Sequence, residues 1–225
     1  IRRLEIGLYQ QQSPDTHLLL HTACFNNQFD GLSQIDNTIN YLFQQQQPYC
    51  QLQGRWIQNS RSQQFTVGAV HLKGSDDNNW SLEPGFLASG QPQVERNATS
   101  LFLHNRWILN SKVSIEGDLR LENMNNSNSD LAGAEWGINT INPGIGLSYQ
   151  IDNQQSVHIA AFKSLTPFLS DRLDPATLAS IPIHRNSSPG TITRERSLTW
   201  DREWLWGFAT TNLFHAEQHT ELHYS

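Results

Sequence analysis

The 225-residue chain reads as an all-β protein, specifically an antiparallel up-and-down transmembrane β-barrel. Three features of the sequence predict this. Apolar and polar residues alternate with a period of two, the period of a strand. The alternating runs last about nine to twelve residues, whereas soluble sheets favour about five or six and a tilted membrane strand needs about 9–11. The connections alternate between tight turns and longer polar loops, the pattern of a barrel with one short-turn rim and one long-loop rim.

Taken in order, residues 3–12 open the pattern, with Leu4, Ile6 and Leu8 alternating with Arg3, Glu5 and Gly7. A tight turn at Ser13-Pro14-Asp15 leads into a strand over 16–26, followed by a polar loop at 27–33. A strand over 34–44 carries Ile35, Ile39, Tyr41 and Phe43, and Gln47-Pro48 is read as the next tight turn. Strands over 49–58 and 63–73 follow, separated by a short loop at 59–62 that belongs to the long-loop rim. Residues 80–88 form a weaker strand, because Pro84 removes a ladder donor. After a loop at 89–96 come strands over 98–109 and 112–122, joined by a turn at Asn110-Ser111. In the second, Val113, Ile115, Gly117, Leu119 and Leu121 interleave with Lys112, Ser114, Glu116, Asp118 and Arg120. A long loop over 123–143 precedes Ile145, Leu147, Tyr149 and Ile151, a turn at Asp152-Asn153 and a strand over 155–165. The longest loop is placed at 166–202, then a strand at 203–214, a turn at His215-Ala216-Glu217 and a final strand cut at Tyr224-Ser225. The count is about twelve strands, in one barrel domain over 1–225 that is an incomplete part of a larger barrel.

The composition fits a barrel with a wet interior. Only 37% of residues are hydrophobic, yet 10% are aromatic and only 16% charged. Disordered chains pair low hydrophobicity with high charge and few aromatics. A membrane barrel turns its apolar face to lipid and lines its lumen with polar groups, which lowers the hydrophobic fraction without unfolding the chain. Tyr9, Tyr41, Phe43, Tyr49, Trp56, Trp107, Tyr149, Trp204 and Trp206 near strand ends are expected to form girdles at the two interfaces. A net charge of -6 argues against a nucleic-acid footprint. No apolar run approaches the roughly 18 residues of a helical span. Cys24 and Cys50 are too few for a disulfide framework or a zinc site.

Candidate site residues are those expected to line a pore. Arg55-Trp56-Ile57-Gln58-Asn59-Ser60 recurs in outline as Arg106-Trp107-Ile108-Leu109-Asn110-Ser111. The paired Arg55 and Arg106 form a candidate filter, although an Asn-Ser reversal beside an interfacial Trp explains the repeat more simply. With Glu116, Asp118 and Arg120 they are the lumen candidates, the cations facing the carboxylates in a transverse field that orients polar solutes. His215, Glu217, His219, Glu221 and His223 recur at odd positions and share one strand face. A lumen-facing polar row is the default reading, with His219, His223 and Glu221 as weak metal candidates. His17 and His21 share a face without a third ligand. Gly144-Ile145-Gly146 is too short for a phosphate loop and reads as a strand start. No nucleophile motif of the G-x-S-x-G kind occurs, so no catalytic residue and no cofactor is assigned and the chain is not expected to be an enzyme.

These residues also carry a resemblance. Residues 203–225, with Glu203-Trp204-Leu205-Trp206-Gly207-Phe208-Ala209 and Leu213-Phe214-His215-Ala216-Glu217, resemble a strand–turn–strand block in the C-terminal barrels of bacterial outer-membrane proteins that carry tetratricopeptide repeats. Ile145-Gly146-Leu147-Ser148-Tyr149, Val157 to Lys163, and Leu173-Asp174-Pro175-Ala176-Thr177-Leu178-Ala179 are similar to the preceding block, where a hairpin runs into a Leu-[Asp/Glu]-Pro-Thr-x-[Leu/Val]-Ala loop segment. Arg3 to Leu18 is similar to another hairpin of the family. The chain departs at Pro182-Ile183-His184, where the family is more acidic and aromatic. The resemblance implies a bacterial outer-membrane location, contact with outer-membrane lipid, and a periplasmic repeat domain upstream. Related architectures are exporters of polysaccharide and, more loosely, TonB-dependent receptor barrels. The functional expectation is a pore or exporter for polar solutes or polysaccharide. A non-conducting anchor of a surface assembly and a soluble carbohydrate-binding β protein are the alternatives.

Overall fold

The computed structural model describes residues 2–36, 39–83, 86–90, 93–128, 136–167, 177–183 and 188–220. Its strands are β1 (Arg2–Ser13), β2 (Thr16–Asp36), β3 (Ile39–Asn59), β4 (Gln63–Glu83), β5 (Phe86–Gly90), β6 (Gln93–Ile108), β7 (Val113–Asn128), β8 (Trp136–Gln150), β9 (Gln155–Leu165), β10 (Thr177–Leu178), β11 (Ile181–Pro182), β12 (Thr191–Trp204) and β13 (Gly207–Thr220). Ten long strands form one sheet in the order β1-β2-β3-β4-β6-β7-β8-β9-β12-β13, with β5 paired to β4. Each long strand pairs antiparallel with the next one along the chain. This is the up-and-down sheet that the alternation predicts. Among the described residues β1 and β13 pair with no second long strand, so the sheet has two edges.

One rim is built of short turns, and four of them follow from a side chain that accepts backbone hydrogen bonds. Ser13 Oγ accepts from Asp15 N at 3.3 Å and Ser60 Oγ from Gln63 N at 3.0 Å. Asn110 Oδ1 accepts from Lys112 N at 2.8 Å and Val113 N at 3.0 Å, and Asp152 Oδ1 from Gln154 N at 2.8 Å. Neighbouring turns are tied together by bonds such as Ile108 N to Ser62 O and Gln150 N to Lys112 O, both 2.8 Å. The other rim carries the longer connections. By the asymmetry of outer-membrane barrels, short turns face the periplasm and long connections the exterior.

Several expected boundaries move. Residues 27–33 are strand, within β2, and Gln47-Pro48 lies inside β3. The β3–β4 ladder skips 47 and 48 while the β2–β3 ladder runs through them, so Pro48 sits where one neighbour is not engaged. The expected strand at 34–44 is thus divided between the end of β2 and the start of β3. The 59–62 connection belongs to the short-turn rim. Much of the loop placed at 123–143 is strand in β7 and β8, and β12 occupies the end of the loop placed at 166–202. His215, Ala216 and Glu217 are mid-strand in β13, whose entering turn is at Leu205-Trp206. The strand cut at 224–225 lies outside the described residues.

The two faces of the sheet are chemically opposite. Outward positions carry exposed Leu4, Ile6 and Leu8 on β1, Leu20 on β2, Leu52 on β3, Leu101 and Leu103 on β6, Leu119 and Leu121 on β7, Ile141, Ile145 and Leu147 on β8, Ile159 on β9 and Leu198 on β12. Inward positions are mostly polar and buried. Trp56 and Phe65 meet edge to face at 5.9 Å beside the short turns. Trp107 and Tyr149 stand at the same rim, and Trp204 stacks on Trp206 at 5.8 Å with Arg202 over its ring. This is one aromatic girdle, at the lower interface. Tyr9 and Tyr49 instead face inward, bonded to His17 and Asp76, and the side chains of Tyr41 and Phe43 lie outside the described ones. Among the described residues the upper edge of the apolar band is marked by polar side chains such as Thr99, Asn123 and Asn139. Cys24 and Cys50, directly opposed in the β2–β3 ladder, form a disulfide on the outward face. Such a bridge belongs to an oxidising compartment.

Leu119→Arg, at mid-band on the outward face, is expected to destabilise the folded barrel by about 2–4 kcal/mol, and Asn123→Arg at the band edge by about 1 kcal/mol or less. Urea unfolding in detergent micelles measures both, and equal costs would contradict the assignment of the outward band.

Candidate functional site

Alternation on β7 places Ser114, Glu116, Asp118, Arg120, Glu122 and Met124 on the inner face, all buried. The inner wall continues through Gln51 and Gln53 of β3, Thr66 and Asp76 of β4, Ser100 and His104 of β6, Thr140 and Asn142 of β8, and Thr193, Glu195, Ser197 and Thr199 of β12. An ionised group away from water is costly unless paired and hydrogen-bonded, and this wall pairs its charges locally. Arg120, 0% exposed, donates through Nε to Asp118 at 2.7 Å. Arg106 Nε lies 3.5 Å from Glu116, and its Nη2 donates to Ser114 Oγ at 3.4 Å. Asn142 Nδ2 donates to Glu122 at 2.5 Å. Arg3 pairs with Glu5, and Arg96 with Asp76, which also accepts from the Tyr49 hydroxyl. His104 stands between Glu116 and Asp118, 3.9 and 3.5 Å away.

The five lumen candidates Arg55, Arg106, Glu116, Asp118 and Arg120 therefore all sit at inward positions. Arg106, Glu116, Asp118 and Arg120 form one cluster. Arg55 is on a different rung, opposite Gly68, so Arg55 and Arg106 do not meet as a filter. The cations neighbour the carboxylates on one wall and do not face them across a gap. The repeated Arg-Trp-Ile segments each put Trp outward, Arg inward and Asn-Ser at the short turn, as the simpler reading holds.

The histidine row differs from expectation. His215, Glu217 and His219 pair in register with Arg196, Arg194 and Ile192, which places them on the outward face of β13 and not in the lumen. His215 lies 3.6 Å from Glu217. Glu221 and His223 lie outside the described residues, among which no cluster of three metal-ligating side chains occurs. His17 faces inward, 2.7 Å from the Tyr9 hydroxyl.

The element that the sequence reading missed is a hairpin inside the barrel wall. β10 and β11 are joined by Ala179 and Ser180, both with positive φ (48° and 65°), the backbone of a type I′ turn. Leu178, Ala179, Ile181 and Ile183 are at most 1% exposed, and Leu178, Ile181 and Ile183 pack on Ala160 and Phe162 of β9. Two glycines make the seat: a Cβ on Gly146 would stand 2.8 Å from Ala179 Cβ, and one on Gly144 would stand 3.0 Å from Leu178. Gly144-Ile145-Gly146 is thus mid-strand, not a strand start. The amide of Ala179 donates to Glu116 Oε2 at 2.7 Å, tying the hairpin tip to the charged cluster. Pro167, at the start of the same connection, borders inward Gln51, Leu72, Ala98 and Met124. The available signal was the apolar spacing of Leu178, Ile181 and Ile183 in a connection that would otherwise be solvated.

No protein-family model and no curated protein sequence matches the chain. Solved structures do. The ferric yersiniabactin uptake receptor FyuA from Yersinia pestis superposes with a TM-score of 0.72 at 11% identity, over 96% of this chain and 35% of that one. The ferric citrate transporter FecA gives 0.74 at 13%, over 96% and 34%. The alcaligin outer-membrane receptor FauA from Bordetella pertussis gives 0.51 at 13%, over 96% and 43%. The chain spans about a third of the length of the first two receptors. The fold is that of the bacterial outer-membrane β-barrels, and the outer-membrane location expected from the sequence agrees with it.

Gly146→Val is expected to push the hairpin off its seat while leaving the barrel folded. Protease cleavage within 166–190 should rise, with heat-modifiable gel migration retained. Ala179→Gly should stabilise the hairpin by about 1 kcal/mol, because glycine accepts positive φ without penalty and the amide to Glu116 is kept. Slower cleavage in the same segment reports it.

Proposed function

We propose that this chain is part of the wall of an outer-membrane barrel that passes or exports a polar solute, with a polysaccharide as the leading substrate class. The observation that carries the proposal is the inner wall itself, where buried Gln, Thr, Ser, Asn and locally paired charges outnumber apolar side chains such as Val70, Leu72 and Phe102, and on which an apolar hairpin is seated. Such a surface offers many shallow hydrogen-bonding positions and no deep anchor, which suits a hydroxyl-rich substrate that must be released as readily as it is bound. The chemistry is non-covalent, so no catalytic residue is required.

Within this proposal the wall belongs to a larger closed barrel. The unpaired edges of β1 and β13 would leave backbone groups without partners in lipid, and further strands would satisfy them. A periplasmic tetratricopeptide-repeat domain upstream is part of the same reading and rests on the resemblance of the 145–179 and 203–225 segments. Two proteins of similar fold are an uptake receptor for ferric yersiniabactin and a ferric citrate transporter, which is compatible with the class proposed here. A closed anchor barrel is the second reading, favoured by the seated hairpin.

Planar-bilayer recordings separate the two. The wild-type protein is expected to show small or intermittent current, and replacing 177–182 by a Gly-Ser linker of equal length should raise single-channel conductance at least about twofold. Absence of current from both proteins would overturn the transport reading and leave the anchor.

A further inference from the structure

We propose that the outward face where β8 and β9 part is a binding site for the phosphorylated headgroup of an outer-leaflet glycolipid. The β8–β9 ladder ends at the rung Gly144↔Phe162. The next residue of β8 is Pro143, which has no N–H to carry the ladder further. Beyond that rung the strands separate, and Lys163 Nζ crosses the seam to donate to Thr140 Oγ1 at 2.6 Å. A cleft of about 510 Å³ opens at this place; Ala161, Lys163, Arg194 and Arg196 line it, with His215 and Glu217 of β13 on its far side.

The height of the cleft fixes what it meets. On β12 the outward positions run upward from the short-turn rim as Trp204, Arg202, Trp200 and Leu198, and then become Arg196 and Arg194. On β9 they run Val157, Ile159 and Ala161, and then Lys163. The change from apolar to basic falls at the upper edge of the apolar band, the level of the outer-leaflet headgroups. Asn123 and Asn139 mark the same edge on the neighbouring β7 and β8 with uncharged groups. Lys163 stands opposite Arg194 in register, and Arg196 is the next outward residue below it.

These cations are poised for an external partner. Among the described residues neither Arg194 nor Arg196 forms an ion pair. Glu217, the register partner of Arg194, lies 3.6 Å from His215 instead. The intervening Glu195 is 2% exposed and accepts from Ser197 on the inner face. Guanidinium groups match phosphate oxygens in bidentate geometry, and they are less strongly hydrated than ammonium. Ile145 and Ala161 directly below offer an apolar track for acyl chains. Phosphate and acyl chain on one ligand is the combination that fits the cleft, and in this leaflet that ligand is a phosphorylated, acylated glycolipid.

The test uses the protein folded in detergent and three probes: bisphosphorylated lipid A, its dephosphorylated form, and inorganic phosphate. The wild type is expected to bind the bisphosphorylated lipid at least about tenfold more tightly than the dephosphorylated one, with no measurable binding of inorganic phosphate. Arg194→Gln/Arg196→Gln should abolish that preference while keeping heat-modifiable migration. Equal binding of both lipids, or an unchanged preference in the double variant, would overturn the proposal. So would tight binding of inorganic phosphate, which would make it a free-anion site. If the double variant does not fold, the comparison of the two lipids on wild-type protein still decides the matter.

Discussion

Everything in this structure follows from the requirement that a chain in a bilayer satisfy its own backbone. Water is absent there, and each unpaired N–H or C=O costs several kcal/mol. Long antiparallel neighbours joined by tight turns meet the requirement rung by rung, as in the ladders from β1 to β13. Once the strands are held this way, alternation sorts the side chains between lipid and lumen. Leu119 and Leu121 go out while Asp118, Arg120 and Glu122 go in, without any apolar core of the kind a soluble sandwich needs.

The inner face then has its own problem, because it gathers more charge than a wet wall requires. Pairing within the wall solves it: Arg120 with Asp118, Arg106 with Glu116, Arg96 with Asp76. For the fully buried Arg120–Asp118 pair, removing one partner costs more than the pair contributes. Glu116 has a second duty. By accepting the Ala179 amide it joins the charged cluster to the apolar cluster of Ala160, Phe162, Leu178, Ile181 and Ile183. The Ala179-Ser180 turn is held in a backbone conformation that non-glycine residues avoid, and the fit against Gly144 and Gly146 with the bond to Glu116 offsets that cost.

Much of the membrane-crossing part of the chain was readable in its sequence. Residues 155–165 form β9 at both predicted ends, and the predicted strand over 112–122 is the membrane part of β7. Most misplaced boundaries lie at the strand ends, but β12, which crosses the band from Trp204 to Arg194, was placed largely in a loop, and the 59–62 connection was assigned to the wrong rim. β2, β3 and β4 are 21 residues each, roughly 70 Å of strand, far more than a crossing needs. In β3, Gln44 to Pro48 are exposed or half-buried on both faces, so no apolar stripe marks the strand there, and Gln47-Pro48 reads as a turn although it is strand. His215-Ala216-Glu217 likewise reads as a turn although it is mid-strand in β13, whose outward face carries polar groups there. The local charge pairing and the disulfide were illegible for another reason: both depend on register between strands, such as Cys24↔Cys50, which periodicity does not encode.

One rung serves both faces of the wall. Inward, Gly144 and Phe162 carry Leu178, and without a side chain at Gly144 the hairpin approaches the strand closely enough to exclude water. Outward, the same rung is the last of the β8–β9 ladder, and Pro143 beyond it leaves the seam that Lys163 crosses. The hairpin and the cleft are therefore not separate additions to a uniform sheet. A strand that needs glycine at two successive inward positions loses side-chain packing there, and a proline beside them loses a ladder bond. The hairpin restores the first loss from inside, and Lys163 with the Leu165–Ile192–Met124–Ile138 cluster closes most of the second. The fraction left open faces the upper edge of the apolar band, and the basic side chains Arg194 and Arg196 stand beside it.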